Sequence, residues 1–193
     1  MKLKFIIITI ALIALGMSIA PYLFHGSAYY TVNLRPIYHG APLKPLFPSK
    51  DFIVGALGLR EGGWQDWAID MILRRKDDPE LIEMVKQAAE SEYPCTKASA
   101  KFVLFKLRID PSQNLKDIFE LISERKSACP MNLIIYKIGP EDAEYSDTVV
   151  SILRTGEIQD VQIAGRVALR RMGWSKEELD ELGLRPWTEY PEE

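Results

Sequence analysis

The sequence has very little histidine, and this scarcity limits its chemistry. Only two of its 193 residues are histidines, His25 and His39, and both precede the long helical part. No Ser-His or Cys-His nucleophilic pair can therefore be assembled within residues 51–193. The chain also lacks a glycine-rich phosphate loop, because Gly55-Ala56-Leu57-Gly58 has no Lys-Ser/Thr to complete one. We expect no cofactor and no enzyme of these conventional classes.

Clustered metal ligands are missing as well. Asp77-Asp78 and Glu141-Asp142 are adjacent carboxylates, but each pair is better explained by the first turn of a helix, whose N-terminus favours negative charge. We therefore predict no metal site and no small-molecule substrate.

Acidic residues are absent from the first fifty positions. Residues 1–50 hold five of the 24 basic residues and none of the 27 acidic ones. Residues 51–193 therefore carry 19 basic and 27 acidic residues, a formal net charge of −8. Nucleic acids and anionic membrane surfaces both favour basic patches. We expect no nucleic acid among the partners of this body.

What the N-terminus does contain is an apolar run from Phe5 to Phe24, preceded by Lys2 and Lys4. Such a run is long enough to cross a bilayer core of roughly 30 Å. It predicts that residues 1–24 form a single-pass anchor in the cell (inner) membrane, with the body facing the periplasm or exterior by the positive-inside rule. The same pattern fits a cleavable signal, after which the body would be secreted.

Residues 25–50 are rich in proline and show no helical periodicity. Proline removes backbone donors and biases the preceding residue towards extended conformations, so no helix can run through this stretch. It is predicted to be an extended tether. Tyr38 to Pro45 is alternatively a docking ligand for a partner.

The body, residues 51–193, has the period of α-helices. Two apolar residues, one spacer and two more apolar residues occur three times, in residues 81–85, 118–122 and 149–153. Each is followed by a second helix, and residues 98–107 align without a gap with residues 163–172. Residues 131–139 fit the same frame one turn shorter. The pattern predicts an all-α fold, a short α-solenoid of about three to four helical hairpins.

Residues 160–173 carry the strongest family signal. They begin with Asp160-Val161, have small residues mid-helix and end in Leu169-Arg170-Arg171-Met172-Gly173, and this pattern resembles the second helix of a HEAT repeat or armadillo-like α-solenoid. A tetratricopeptide-like repeat is the runner-up, because Arg108-Ile109-Asp110-Pro111 resembles the end of such a repeat. Either resemblance implies a scaffold that presents a surface to a protein partner.

Both ends of the array are predicted to carry capping helices. Ser175 and Glu178 have the spacing of a capping box, and Gly183 ends that short helix. At the other end, residues 52–59 and 64–75 are predicted as two further helices, the second of which buries an apolar face.

The sequence favours protein–protein interaction on the extracytoplasmic side. An exported enzyme that cleaves cell-wall glycan is the alternative, with Glu61 as general acid at the bend Glu61-Gly62-Gly63 and with Asp66 nearby. The two cysteines, Cys95 and Cys129, lie near the starts of adjacent second helices and are candidates for a disulfide. As free thiols they would instead act as small buried hydrophobes.

Overall fold

The computed structural model describes residues 48–59 and 63–183. These residues form nine α-helices and one 3-10 helix and contain no β-strand, which confirms the predicted all-α class for this part of the chain. The predicted anchor, residues 1–24, and residues 25–47 of the predicted tether lie outside the described residues. Across 48–59 and 63–183, no helix is long and apolar enough to cross a bilayer.

The helices follow one another in a simple order. They are α1 Lys50–Ala56, α2 Trp64–Arg74, α3 Pro79–Ala88, α4 Pro94–Lys106, α5 Pro111–Ser123, α6 Cys129–Lys137, the 3-10 helix Pro140–Tyr145, α7 Ser146–Thr155, α8 Gln159–Arg171 and α9 Lys176–Glu181. The chain divides into two compact units between Ala56 and Leu57. Helix α1, which buries Ile53 and Ala56, belongs to the first unit, and α2 to α9 belong to the second.

Most helices begin with residues suited to a helix start. Proline stands in the first turn of α3, α4, α5 and α6, where its missing N–H would have no partner within the helix. Asp78 caps α3 by accepting a hydrogen bond from the Leu81 N–H at 3.2 Å. Ser175 and Glu178 form the predicted capping box at the start of α9. These boundaries follow from local sequence.

Helices that are consecutive in sequence pack together in the second unit. Contacts join α3 to α4, α5 to α6, and α7 to α8. In addition, α4 contacts α6, α6 contacts α8, and α5 contacts α7. Helix α4 touches α2, α3, α5 and α6, and nine of its 13 residues are buried. It is therefore the centre of the core.

Small residues allow the helices to approach closely. Ala98 and Ala100 of α4 are fully buried. In α8 the residue aligned with Ala100 is Gly165, where an added Cβ would lie only 2.5 Å from the Leu153 Cδ2 of α7. A larger side chain at residue 165 would therefore displace Leu153 or push α7 and α8 apart.

Helices α4 and α8 end in the same way. The residue after each C-cap is left-handed, Arg108 with φ 62° and Gly173 with φ 103°. The next residue then donates its N–H back into the helix, Ile109 to the Leu104 carbonyl and Trp174 to the Leu169 carbonyl, each at 3.0 Å. This is the Schellman ending, which usually has glycine at the left-handed position. An arginine there costs about 1–2 kcal/mol in backbone energy.

Candidate functional site

Polar side chains concentrate at the two ends of the α4–α6 pair. Both helices begin at a disulfide, and the segment after α6 meets the end of α4 in a cluster of charges. We call the first place the disulfide end, made of Gln65, Cys95, Ser99 and Cys129. We call the second the ionic end, made of Lys106, Arg108, Glu141, Asp142 and Glu144.

A covalent bond defines the disulfide end. Cys95 lies in the first turn of α4 and Cys129 begins α6, and the structure joins their sulfurs in a disulfide with the Cα atoms 5.3 Å apart. Both residues are buried, at 8% and 4% exposure. The bond therefore links the starts of two second helices that are 34 residues apart in sequence.

A neutral hydrogen-bond cluster surrounds the disulfide. The fully buried Ser99 Oγ lies 2.7 Å from the Cys95 carbonyl and 3.0 Å from the Leu57 carbonyl. Gln65 Nε2 of α2 donates to Ser99 Oγ at 2.6 Å and lies 3.8 Å from Cys95 Sγ. These bonds tie α4 to α2 and to the residue that follows α1, and no charged group takes part in them.

The ionic end is built around Asp142, whose side chain is fully buried. Its Oδ2 accepts hydrogen bonds from Lys106 Nζ at 2.6 Å and from the Gly139 N–H at 3.1 Å. Its Oδ1 has no hydrogen-bond partner among the described residues and faces Arg108 NH1 at 3.6 Å. A buried carboxylate needs such opposite charges because its desolvation is costly.

Exposed groups surround this buried pair. Lys106 Nζ also donates to Glu141 at 2.7 Å, and this bond lowers the pKa of the Glu141 carboxyl below its usual value. Arg108 pairs with Glu144 at 3.1 Å. Its guanidinium lies 4.8 Å from the centre of the Tyr145 ring, within cation–π range. The guanidinium also donates to the Glu141 carbonyl at 2.9 Å. The left-handed backbone at Arg108 thus places a side chain with several partners at this end.

A third charged site lies between the end of α3, α4 and α5. It is a cavity of about 270 Å³. The Lys101 side chain, 9% exposed, places its ammonium 2.5 Å from Asp117 and 3.9 Å from Glu90. Gln113 donates to the other Asp117 oxygen at 2.7 Å. Carboxylates of the same protein thus neutralise the charge of the buried Lys101.

Of the two residues predicted for glycan cleavage, the structure describes one. Glu61 lies outside the described residues. Asp66 lies on α2 with its side chain 58% exposed, and its carboxylate pairs with Lys137 of α6 at 3.0 Å. In the described structure Asp66 therefore joins α2 to α6.

Reasoning from sequence missed the ionic end. Glu141 and Asp142 were expected only as acids of a helix start, and Asp142 does accept the Gly139 N–H. Its second role, the pairing with Lys106 and Arg108, joins residues 36 and 34 positions apart. The available signal was two basic residues, Lys106 and Arg108, that follow the apolar run 102–105 at the end of α4.

No protein-family model, no curated protein and no solved structure matches the chain. Within residues 48–59 and 63–183, no group of three or more His, Cys, Asp or Glu side chains could hold a metal ion. At the ionic end the charged side chains pair among themselves. Lys101 likewise pairs with acidic residues of its own site.

Proposed function

We propose that this chain is a membrane-anchored helical-repeat scaffold that mediates protein–protein interaction on the extracytoplasmic side. The anchor is residues 5–24, the tether is residues 25–50, and the array is a short α-solenoid of HEAT or armadillo type. No enzymatic activity is part of the proposal.

One observation carries the proposal, which is the order of helix contacts. Each second helix touches the next, α4 with α6 and α6 with α8, while each also packs on its own first helix. Nearest-neighbour packing of this kind is what an α-solenoid requires, and solenoids use their extended surfaces to bind other proteins. The matching Schellman endings of α4 and α8 support a repeat relationship between these two helices.

The location has its own support. The apolar run and the basic residues before it predict an anchor with the body outside. The disulfide between Cys95 and Cys129 is compatible with that side of the membrane, because disulfides persist in oxidising compartments.

Photo-crosslinking in native membranes tests the binding role. A photoreactive amino acid is placed in the full chain at Tyr136, a 68% exposed residue on the second helix α6. We expect it to crosslink reproducibly to one partner protein, because second helices line one face of a solenoid. The matched control is the same amino acid at Glu83, an exposed residue of the first helix α3. Equal labelling from both positions, or none from Tyr136, would contradict the proposal.

Two further measurements address location and the glycan-cleaving alternative. Protease added to right-side-out membrane vesicles should digest the body; full protection would contradict the extracytoplasmic location. Purified full chain incubated with cell-wall glycan should release no fragments. Release that is abolished by Glu61→Gln would instead establish the enzyme.

A further inference from the structure

We propose that the Cys95–Cys129 disulfide is a reversible redox latch on the α4–α6 pair. Its reduction frees the N-terminal ends of the two helices, while the ionic end stays closed. This inference does not depend on the proposed partner, because it concerns the helix pair itself.

The first step is that the disulfide is the one bond, as distinct from packing, that joins α4 to α6 in the described part of the chain. Within the described residues no hydrogen bond or ion pair joins α4 directly to α6. The bonds of Ser99 and Gln65 tie α4 to α2 and Leu57 instead. Once the sulfurs part, only apolar packing holds the starts of α4 and α6 together.

The second step is that groups near the sulfurs favour the reduced form. Both sulfurs lie in the first turn of a helix, where the N-terminal partial charge favours a thiolate. Gln65 Nε2, 3.8 Å from Cys95 Sγ, is a donor already oriented towards that sulfur. A disulfide whose reduced form is stabilised in this way is more easily reduced.

The third step is that the opposite end has a lock of another kind. Lys106 and Arg108 hold Asp142 of the segment that follows α6, and neither contact involves sulfur. Reduction therefore leaves the ionic end intact. The helices α4 and α6 should therefore separate at the disulfide end and stay together at the ionic end.

The chemistry is thiol–disulfide exchange with a dithiol as reductant. One thiolate of the dithiol attacks a sulfur of the Cys95–Cys129 bond and forms a mixed disulfide, releasing the other cysteine as a thiolate that takes up a proton. The second thiolate of the dithiol then displaces the remaining cysteine. The protein gains two electrons and two protons as two thiols, and the dithiol becomes a disulfide. An oxidised dithiol reverses both steps.

Hydrogen exchange measured on the full chain in detergent, before and after dithiothreitol, tests the latch. Complete reduction is verified by alkylation and mass. We expect exchange of the first hydrogen-bonded amides of α4 and α6, residues 97–100 and 132–134, to become at least about tenfold faster, with residues 104–108 and 138–145 changing less than about twofold. Loss of a cross-link of this span should also lower Tm by about 10 °C.

The variant Cys95→Ala/Cys129→Ala is the matched control. It should show the open exchange pattern without reductant and should not respond to dithiothreitol. Oxidised dithiothreitol should restore slow exchange in the reduced wild-type chain only.

Three outcomes would overturn the latch. A bond that resists dithiothreitol is not reversible under reducing conditions. Unchanged exchange after complete reduction means that the bond holds nothing closed. Equal acceleration at both ends means that the whole array unfolds rather than opening at one end.

Discussion

The two ends of the α4–α6 pair are held by opposite kinds of chemistry. The disulfide end uses one covalent bond and neutral hydrogen bonds around Ser99. The ionic end uses the buried Asp142 with Lys106 and Arg108. A reductant would act on the first, and substitutions that remove a charge would act on the second. The two ends can therefore be perturbed separately by experiment.

The largest effect should come from removing the central charge of the ionic end. Asp142→Asn leaves Lys106 without its buried counter-charge, and breaking a buried pair in this way costs about 3–5 kcal/mol. Urea unfolding of the oxidised protein should show this loss of free energy. Adding Lys106→Met to the same variant should recover part of it, because the ammonium that has lost its buried partner, and keeps only the exposed Glu141, is then gone.

Glu144→Gln is the matched control for Asp142→Asn. The Glu144 carboxylate also pairs with Arg108, at 3.1 Å, but its side chain is 62% exposed. Its removal should cost no more than about 1 kcal/mol. Equal losses from the two variants would show that burial does not distinguish Asp142.

At the disulfide end, Ser99→Ala should cost about 1–2 kcal/mol. It leaves the half-buried Gln65 amide without its 2.6 Å acceptor, and the Leu57 carbonyl keeps only the longer 3.5 Å bond from Gln65. Because the cluster is neutral, the loss should be the same at low and high salt in urea unfolding. A loss that shrinks in 1 M salt would mean that this end also depends on charge.

The backbone at Arg108 allows a finer comparison. Arg108→Ala loses the ion pairs and keeps the left-handed strain, whereas Arg108→Gly loses the same pairs and relieves that strain. The glycine variant should therefore be more stable than the alanine variant by about 1 kcal/mol. Gly173→Ala, at the aligned position of α8, should lose about the same amount. Equal stability of the two Arg108 variants would contradict the strain at this position.

The smallest effect concerns Glu141. Its pKa is lowered in the folded protein, chiefly by the Lys106 hydrogen bond, so its contribution is present above the ordinary pKa of 4.5 and is lost as the pH falls through the folded pKa. Because the side chain is 62% exposed, the contribution is only a few tenths of a kcal/mol. Glu141→Gln should flatten the stability profile below pH 4.5 by that amount. An unchanged profile would mean that Lys106 does not stabilise the carboxylate.

Local features of the fold were predictable from sequence. The repeated apolar pattern located α3, α5 and α7, and the alignment of residues 98–107 with 163–172 located α4 and α8. Ser175 and Glu178 gave the start of α9 because a capping box spans only four residues. These signals are carried by spacing within one or two turns, which periodicity can detect.

The ionic end was not predictable, because its residues are far apart in the sequence. Asp142 contacts Lys106 because the helices α5 and α6 between them fold back on α4. Nothing in the local sequence of either residue specifies this contact. The 3-10 helix Pro140–Tyr145 was missed as well, because its first-turn acids resemble those of any helix start. Long-range charge pairing depends on the tertiary path of the chain.

The central position of α4 sets an order for folding. Its neighbours α3 and α5 are adjacent in sequence, so this nucleus can form from local contacts, which favours rapid folding. Cys129 arrives only when α6 docks, and the cross-link closes a loop that contains all of α5. We therefore expect oxidation to follow assembly of α4 and α5 during biosynthesis. A cysteine that had already formed a mixed disulfide by exchange with another disulfide would have to exchange it again before the Cys95–Cys129 bond could form.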